Sequence, residues 1–109
     1  MPKDEHVAVL ARGAAVWNAW RAEHDEVPDL SQAALRGLDL TGFDLSRADL
    51  RGADLRGSYL RLAKLDGADL SDGDMDETEG LTQAQLDAAH LNSGTRVPQG
   101  LTGAGDAKG

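Results

Sequence analysis

Leucine returns at every fifth residue through the middle of this chain, at Leu30, Leu35, Leu40, Leu45, Leu50, Leu55, Leu60, Leu65 and Leu70, and Met75 continues the series. Neither regular secondary structure can bury that pattern. On an α-helix a step of five rotates each leucine by about 140°, which scatters the series around the cylinder. On a straight strand the side chains alternate, so an odd step sends successive leucines to opposite faces. A bend must therefore intervene in every repeat. Gly37, Gly42, Gly52, Gly57 and Gly67 stand where it falls, because a residue without Cβ accepts the tight backbone of a corner. Small residues at 33, 48, 53, 58, 63 and 68 recur two places before the leucines and predict a second inward column.

The central units, Ala48-Asp49-Leu50-Arg51-Gly52 and Ala53-Asp54-Leu55-Arg56-Gly57, resemble the A(D/N)LXX units of the pentapeptide-repeat family, and the match runs over residues 28–77. The resemblance implies an all-β fold, a right-handed quadrilateral parallel β-solenoid with four repeats to each coil. About two and a half coils follow, or some 12 Å of stack at the usual spacing of about 4.8 Å. Residues twenty apart then lie one above another, so Leu30, Leu50 and Leu70 share one side and Leu35, Leu55 and Met75 the next. Phe43 departs from the small-residue column, and on this stacking Ala63 above it compensates the volume. So short a solenoid buries too little to offset the entropy of ordering its chain, so the flanking segments must add core.

Those segments carry their own signals. Val9, Leu10, Gly13, Val16, Trp17 and Trp20 fall on one helical arc, which predicts a helix over residues 4–23 covering the first coil. Pro28 ends any helical continuation. The order of a Trp-x-x-Trp helix followed by Pro-Asp-Leu and the repeats also resembles the family. Beyond the repeats, Thr82 and Gln85 form a capping box, with Leu81 and Leu86 at the positions of a hydrophobic staple; a short C-terminal helix is expected to run to His90. Thr95 to Leu101 reads as extended chain against the last coil. The expected organisation is an N-terminal α-helical cap at 1–27, the solenoid at 28–77, a C-terminal cap at 78–101 and a disordered tail at 102–109.

The composition narrows the chemistry. The 109 residues make room for one domain, and the net charge of −8 disfavours direct nucleic-acid binding. No cysteine is present, which removes thiolate metal sites and agrees with a reducing, cytoplasmic setting. No apolar run approaches the roughly 20 residues of a membrane span. His6, His24 and His90 lack ligand spacing and read as surface residues; Ser58 has no histidine to activate it; Asp39, Asp44, Asp49, Asp54, Asp69 and Asp74 are consensus outward positions that read as solvated. No enzyme, cofactor or metal is expected.

Binding remains. One reading is a small protein-protein interaction scaffold, monomeric or weakly dimeric, whose protein partner is unknown. The other comes from the resemblance, since some family members mimic duplex DNA and bind or protect DNA gyrase, conferring quinolone or toxin resistance. Asp29, Asp49 and Asp69 would form an acidic column and Asp66 to Glu79 adds an acidic run, but Arg36, Arg51, Arg56, Arg61 and Lys64 interrupt the acidic faces, and a phosphate mimic needs a continuous negative field. The candidate partner site is the one outward break in the repeat. Through Ser58-Tyr59-Leu60-Arg61-Leu62-Ala63-Lys64, Tyr59 and Lys64 replace the outward Asp and Leu62 replaces the corner Gly. Tyr59, Arg61, Leu62 and Lys64 thereby combine an aromatic, an aliphatic and two cations, a mixture suited to interaction surfaces. The competing reading is that Tyr59 and Leu62 receive Val97 and Leu101 of the returning C-terminal segment.

Overall fold

The structure, a computed structural model, describes residues 3–103. Its middle is a β-solenoid held together by parallel bridges in four columns: Asp29–Asp49–Asp69–His90, Ala34–Asp54–Asp74–Arg96, Asp39–Tyr59–Glu79 and Asp44–Lys64. These columns define walls one to four. Each rung is a pair of backbone bonds, as where Asp49 N–H donates to the Pro28 carbonyl at 2.9 Å and Leu30 N–H donates to the Asp49 carbonyl at 2.8 Å. Only one residue per repeat pairs, so the walls are isolated bridges rather than extended strands. A corner every five residues leaves no room for longer pairing.

The corners are left-handed without exception. Gly37, Gly42, Gly52, Gly57 and Gly67 have φ between 68° and 73°, while Gln32, Arg47, Leu62, Asp72 and Glu77 adopt φ of 60–63° despite their Cβ atoms. A short backbone bond closes the turn, such as Ala48 N–H to the Leu45 carbonyl at 3.1 Å. Inside, every leucine of the series and Met75 is at most 1 % exposed, and Ala33, Ala48, Ala53, Ser58, Ala63 and Ala68 form the second buried column. Ser58 satisfies its buried hydroxyl by donating to the Leu55 carbonyl at 2.7 Å. Phe43 and Ala63 are both buried. Leu38 has the register of the small-residue column yet is 38 % exposed, because no rung lies beneath Asp39 on wall three.

The N-terminal segment forms two helices, α1 (Asp4–Leu10) and α2 (Ala14–Glu23), where the periodicity predicts one. Gly13 causes the break: its φ of 100° is outside the helical region and favours glycine. The arc is correspondingly imperfect, with Leu10 and Trp17 buried but Val16 exposed. Both helices bond to rung groups of the first coil, which has no coil below it. Lys3 N–H donates to the Asp29 carbonyl, and Asp29 N–H donates to His6 Nδ1 at 2.8 Å. Trp17 Nε1 and Arg21 Nη1 donate to the Asp44 carbonyl at 2.7 and 2.8 Å. Asp44 N–H donates to Asn18 Oδ1 at 2.8 Å. Walls one and four are thus served, and among the described residues no such bond reaches Ala34 or Asp39.

His6 is a correction to the surface reading, since it is 1 % exposed. Its Nδ1 accepts from Asp29, so Nε2 carries the proton that meets Glu26 Oε2 at 2.9 Å. At the far end the capping box forms as expected, with Thr82 N–H donating to Gln85 Oε1 at 2.7 Å and Gln85 N–H to Thr82 Oγ1 at 3.3 Å. The helix it starts, α3 (Gln83–Asp87), is shorter than predicted, because His90 leaves it to make a rung with Asp69. Arg96 adds a rung on Asp74, so the extended segment continues wall two. Thr102, expected in the tail, exchanges two hydrogen bonds with the Gln83 side chain; the rest of the tail expected at 102–109 lies, from residue 104 on, outside the described residues.

Candidate functional site

The repeat Asp-Leu-Arg determines the charge pattern of the walls. A carboxylate on a rung and a guanidinium two residues later lie side by side, and Arg51 grips Asp49 with Nε–Oδ1 and Nη2–Oδ2 contacts of 2.9 and 2.8 Å. Arg56 grips Asp54 in the same fork, at 2.9 Å for both bonds. Such two-pronged charge-assisted contacts are the stronger kind of hydrogen bond. On wall two the pairing extends into a ladder: Arg36 reaches Asp54, Arg56 reaches Asp74, and Arg96 reaches Asp74 and Asp76. Where serine or threonine follows instead, its hydroxyl or amide holds the rung aspartate, as at Asp29, Asp44 and Asp69 and at Asp39.

These contacts correct the reading of the rung aspartates as simply solvated. The Arg51 guanidinium holds the Asp49 carboxyl below its ordinary range, and Ser31 and Thr41 do the same for Asp29 and Asp39. No cluster of His, Cys, Asp or Glu that could hold a metal occurs among the described residues. No helix among them is long and apolar enough to cross a membrane.

The four candidate residues occupy adjoining positions around one corner. Tyr59 is the middle rung of wall three, between Asp39 and Glu79, and Lys64 is the upper rung of wall four, above Asp44. Arg61 and Leu62 make the corner between them. Tyr59 is 50 % exposed and Leu62 72 %, the most exposed large hydrophobic residue described. Leu62 also carries the left-handed backbone, with φ of 62°, which costs a residue bearing Cβ about 1–2 kcal/mol. Val97 and Leu101 pack against the core cluster, and Leu62 is left largely exposed.

Beside it lies an open groove of about 390 Å³ lined by Arg61, Leu62, Ala63, Gly80, Thr82 and Gln85. Its floor is pinned by Gln85, whose Nε2 donates to the Leu60 and Ala63 carbonyls at 2.9 and 2.8 Å. Gly80 presses against the Arg61 stem so closely that a Cβ there would meet the Arg61 Cβ at 2.8 Å. Sequence reasoning found Arg61 and Leu62 from the broken repeat but missed Gly80, Thr82 and Gln85. Thr82 and Gln85 were visible only as a helix cap, and nothing in the sequence set them against the corner. Tyr59 and Lys64 flank the groove without lining it.

Comparison with known proteins bears on the repeats. A family model described as pentapeptide repeats matches residues 29–65 and 44–79, in eight copies. A crystallised pentapeptide repeat protein from Nostoc Pcc 7120 is similar at 32 % sequence identity, with 78 % of this chain and 84 % of that chain covered; the superposition has a TM-score of 0.30 and adds nothing to the sequence match. No curated protein matches the chain.

Proposed function

The chain belongs to the pentapeptide-repeat family, and on that footing we propose that it is a non-catalytic protein-interaction scaffold whose partner docks at Tyr59, Arg61, Leu62 and Lys64. With this goes the right-handed, four-sided coil of about two and a half turns that membership of the family implies, capped by residues 1–27 and 78–101. The observation that carries the reading is Leu62. A leucine that is 72 % exposed in a left-handed corner pays twice, in strain and in exposed apolar surface. The neighbouring corners at Gly57 and Gly67 make the same turn with glycine, and the other side chains that share this φ, Gln32, Arg47, Asp72 and Glu77, are polar or charged. Breaches of local rules of this kind concentrate where a surface is used.

The reading as a duplex mimic is poorer. Its acidic columns are interrupted by Arg51 at Asp49 and by Arg36, Arg56 and Arg96 at Asp54, Asp74 and Asp76, whereas a phosphate mimic needs a continuous field of one sign. The scaffold reading is tested by affinity capture from a lysate of the source cell with wild-type protein and with a Tyr59→Ala, Leu62→Gly variant. Capture of a specific protein is expected to disappear, while the melting temperature stays the same or rises by several degrees as the strain at residue 62 is relieved. Unchanged capture places binding elsewhere, and a large fall in melting temperature makes the corner internal packing.

A further inference from the structure

Arg61 stands where Arg51 and Arg56 stand, one place after the inward leucine and two after the rung residue. Those two arginines are committed to the rung carboxylates of Asp49 and Asp54. At Arg61 the rung residue is Tyr59, which offers no carboxylate, and no carboxylate among the described residues pairs with the Arg61 guanidinium. The substitution that places Tyr59 on the surface therefore also releases a fork of donors. That fork borders the groove of Leu62, Ala63 and Gly80, and Gly80 packed on its stem limits where it can swing.

Resting on the scaffold reading, we infer that Arg61 receives a carboxylate from a partner protein, which takes the place of the missing rung aspartate while the partner's adjacent apolar side chain enters the groove beside Leu62. The ligand is thus an exposed Asp or Glu next to an aliphatic or aromatic residue. The chain itself shows that an arginine at this station reads a carboxylate with two bonds of 2.8–2.9 Å. The planar fork matches a carboxylate's two oxygens. Long-range charge sets the limit on the partner: a chain of net charge −8 repels an acidic run, so a single carboxylate with an apolar neighbour fits and an acidic tract does not. A second copy of this chain fits poorly, because wall three would bring Asp39 and Glu79 toward their own equivalents.

The test is a titration of ¹⁵N-labelled full-length protein with acetylated, amidated Gly-Ser octapeptides carrying a central Asp-Leu, Asn-Leu or Asp-Ser pair, followed by NMR. The Asp-Leu peptide is expected to shift the Arg61 side-chain Nε–H and the Leu62 and Gly80 amides. Replacing Asp by Asn in the peptide, or Arg61→Gln in the protein, should weaken binding about tenfold, the loss expected for a charge-assisted hydrogen bond. Tyr59→Asp restores the internal fork and should silence the Arg61 response, whereas Tyr59→Asn removes the same ring without supplying a charge, so its response, even weakened by loss of the ring, should still exceed that of Tyr59→Asp. Equal responses from the Tyr59→Asp and Tyr59→Asn variants, equal affinity for the Asp-Leu and Asn-Leu peptides, or no shift at millimolar peptide would each overturn the inference. The two readings fail separately: partner capture that depends on Tyr59 and Leu62 but not on Arg61 keeps the scaffold surface and overturns the carboxylate inference.

Discussion

Leu55→Asp is expected to abolish the folded state. Leu55 is fully buried, and its repeat belongs to the middle coil, with rungs both below, to Ala34, and above, to Asp74. It belongs to the cluster of buried apolar side chains, which offers a carboxylate no ion pair. An unpaired buried charge costs several kcal/mol even after relaxation, and loss of the leucine's own burial adds about 2 kcal/mol or more. The sum is comparable with the whole stability of a domain, about 5–15 kcal/mol. Far-UV circular dichroism and thermal melting check it, with loss of the cooperative transition as the expected result. Leu62→Asp makes the same chemical change on an exposed corner and should leave melting nearly unchanged; a cooperatively folded Leu55→Asp protein would contradict the inward register.

Deletion of residues 1–27 should convert the protein from a discrete species into associating material. The segment supplies the bonds to the first coil at Asp29, Asp44 and Ser46 and places Leu10 and Trp17 in the core cluster. Without it, the lower sides of Leu30, Leu35, Leu40, Phe43 and Leu45 meet water. Rung donors and acceptors around the coil then lose their partners and become a template for another chain. Among the described residues no backbone bond reaches the lower edges of walls two and three at Ala34 and Asp39, so removal of the helices leaves walls one and four without theirs as well. Size-exclusion chromatography with light scattering reads the outcome. Oligomers or aggregates are expected, and a stable, soluble monomer would show that the segment does not cap the solenoid.

The solenoid was legible because one feature of it is strictly periodic. A step of five leaves a single way to bury Leu30 through Met75, and the burial of each of them follows from that step. What periodicity could not reveal lies where the period stops. Gly13 sat comfortably on the apolar arc because a residue without a side chain contradicts no pattern, yet its backbone divides the helix. His6 is buried because its Nδ1 meets the Asp29 N–H, a coincidence of rung position invisible along the chain. His90 and Arg96 complete walls one and two at spacings of 21 and 22 residues from Asp69 and Asp74, so a search for twenty-residue spacing passes over them. Leu38 stands in the register of the small-residue column and is exposed because wall three begins at its neighbour Asp39.

The candidate site was half legible for a similar reason. Tyr59, Leu62 and Lys64 announce themselves as departures from Asp, Gly and Asp. The consequence for Arg61 was also present in the sequence, since Asp-Leu-Arg occurs at Asp49 to Arg51 and Asp54 to Arg56 and becomes Tyr-Leu-Arg at Tyr59 to Arg61. Reading it required knowing that the two outer residues of that triplet grip one another, which the spacing alone does not say. The groove needed α3, whose position over the corner depends on bonds from Gln85 to Leu60 and Ala63.

Recognition on this account is local, at one broken corner, while arginines interrupt the acidic columns at Asp49, Asp54 and Asp74; a duplex mimic would instead act through the whole acidic surface. Supercoiling of relaxed plasmid by purified DNA gyrase, with this protein added up to micromolar concentration, separates the two most directly. The account predicts an unchanged supercoiling rate and no relief of quinolone inhibition. Inhibition of supercoiling at micromolar protein, or protection of gyrase from a quinolone, would contradict it.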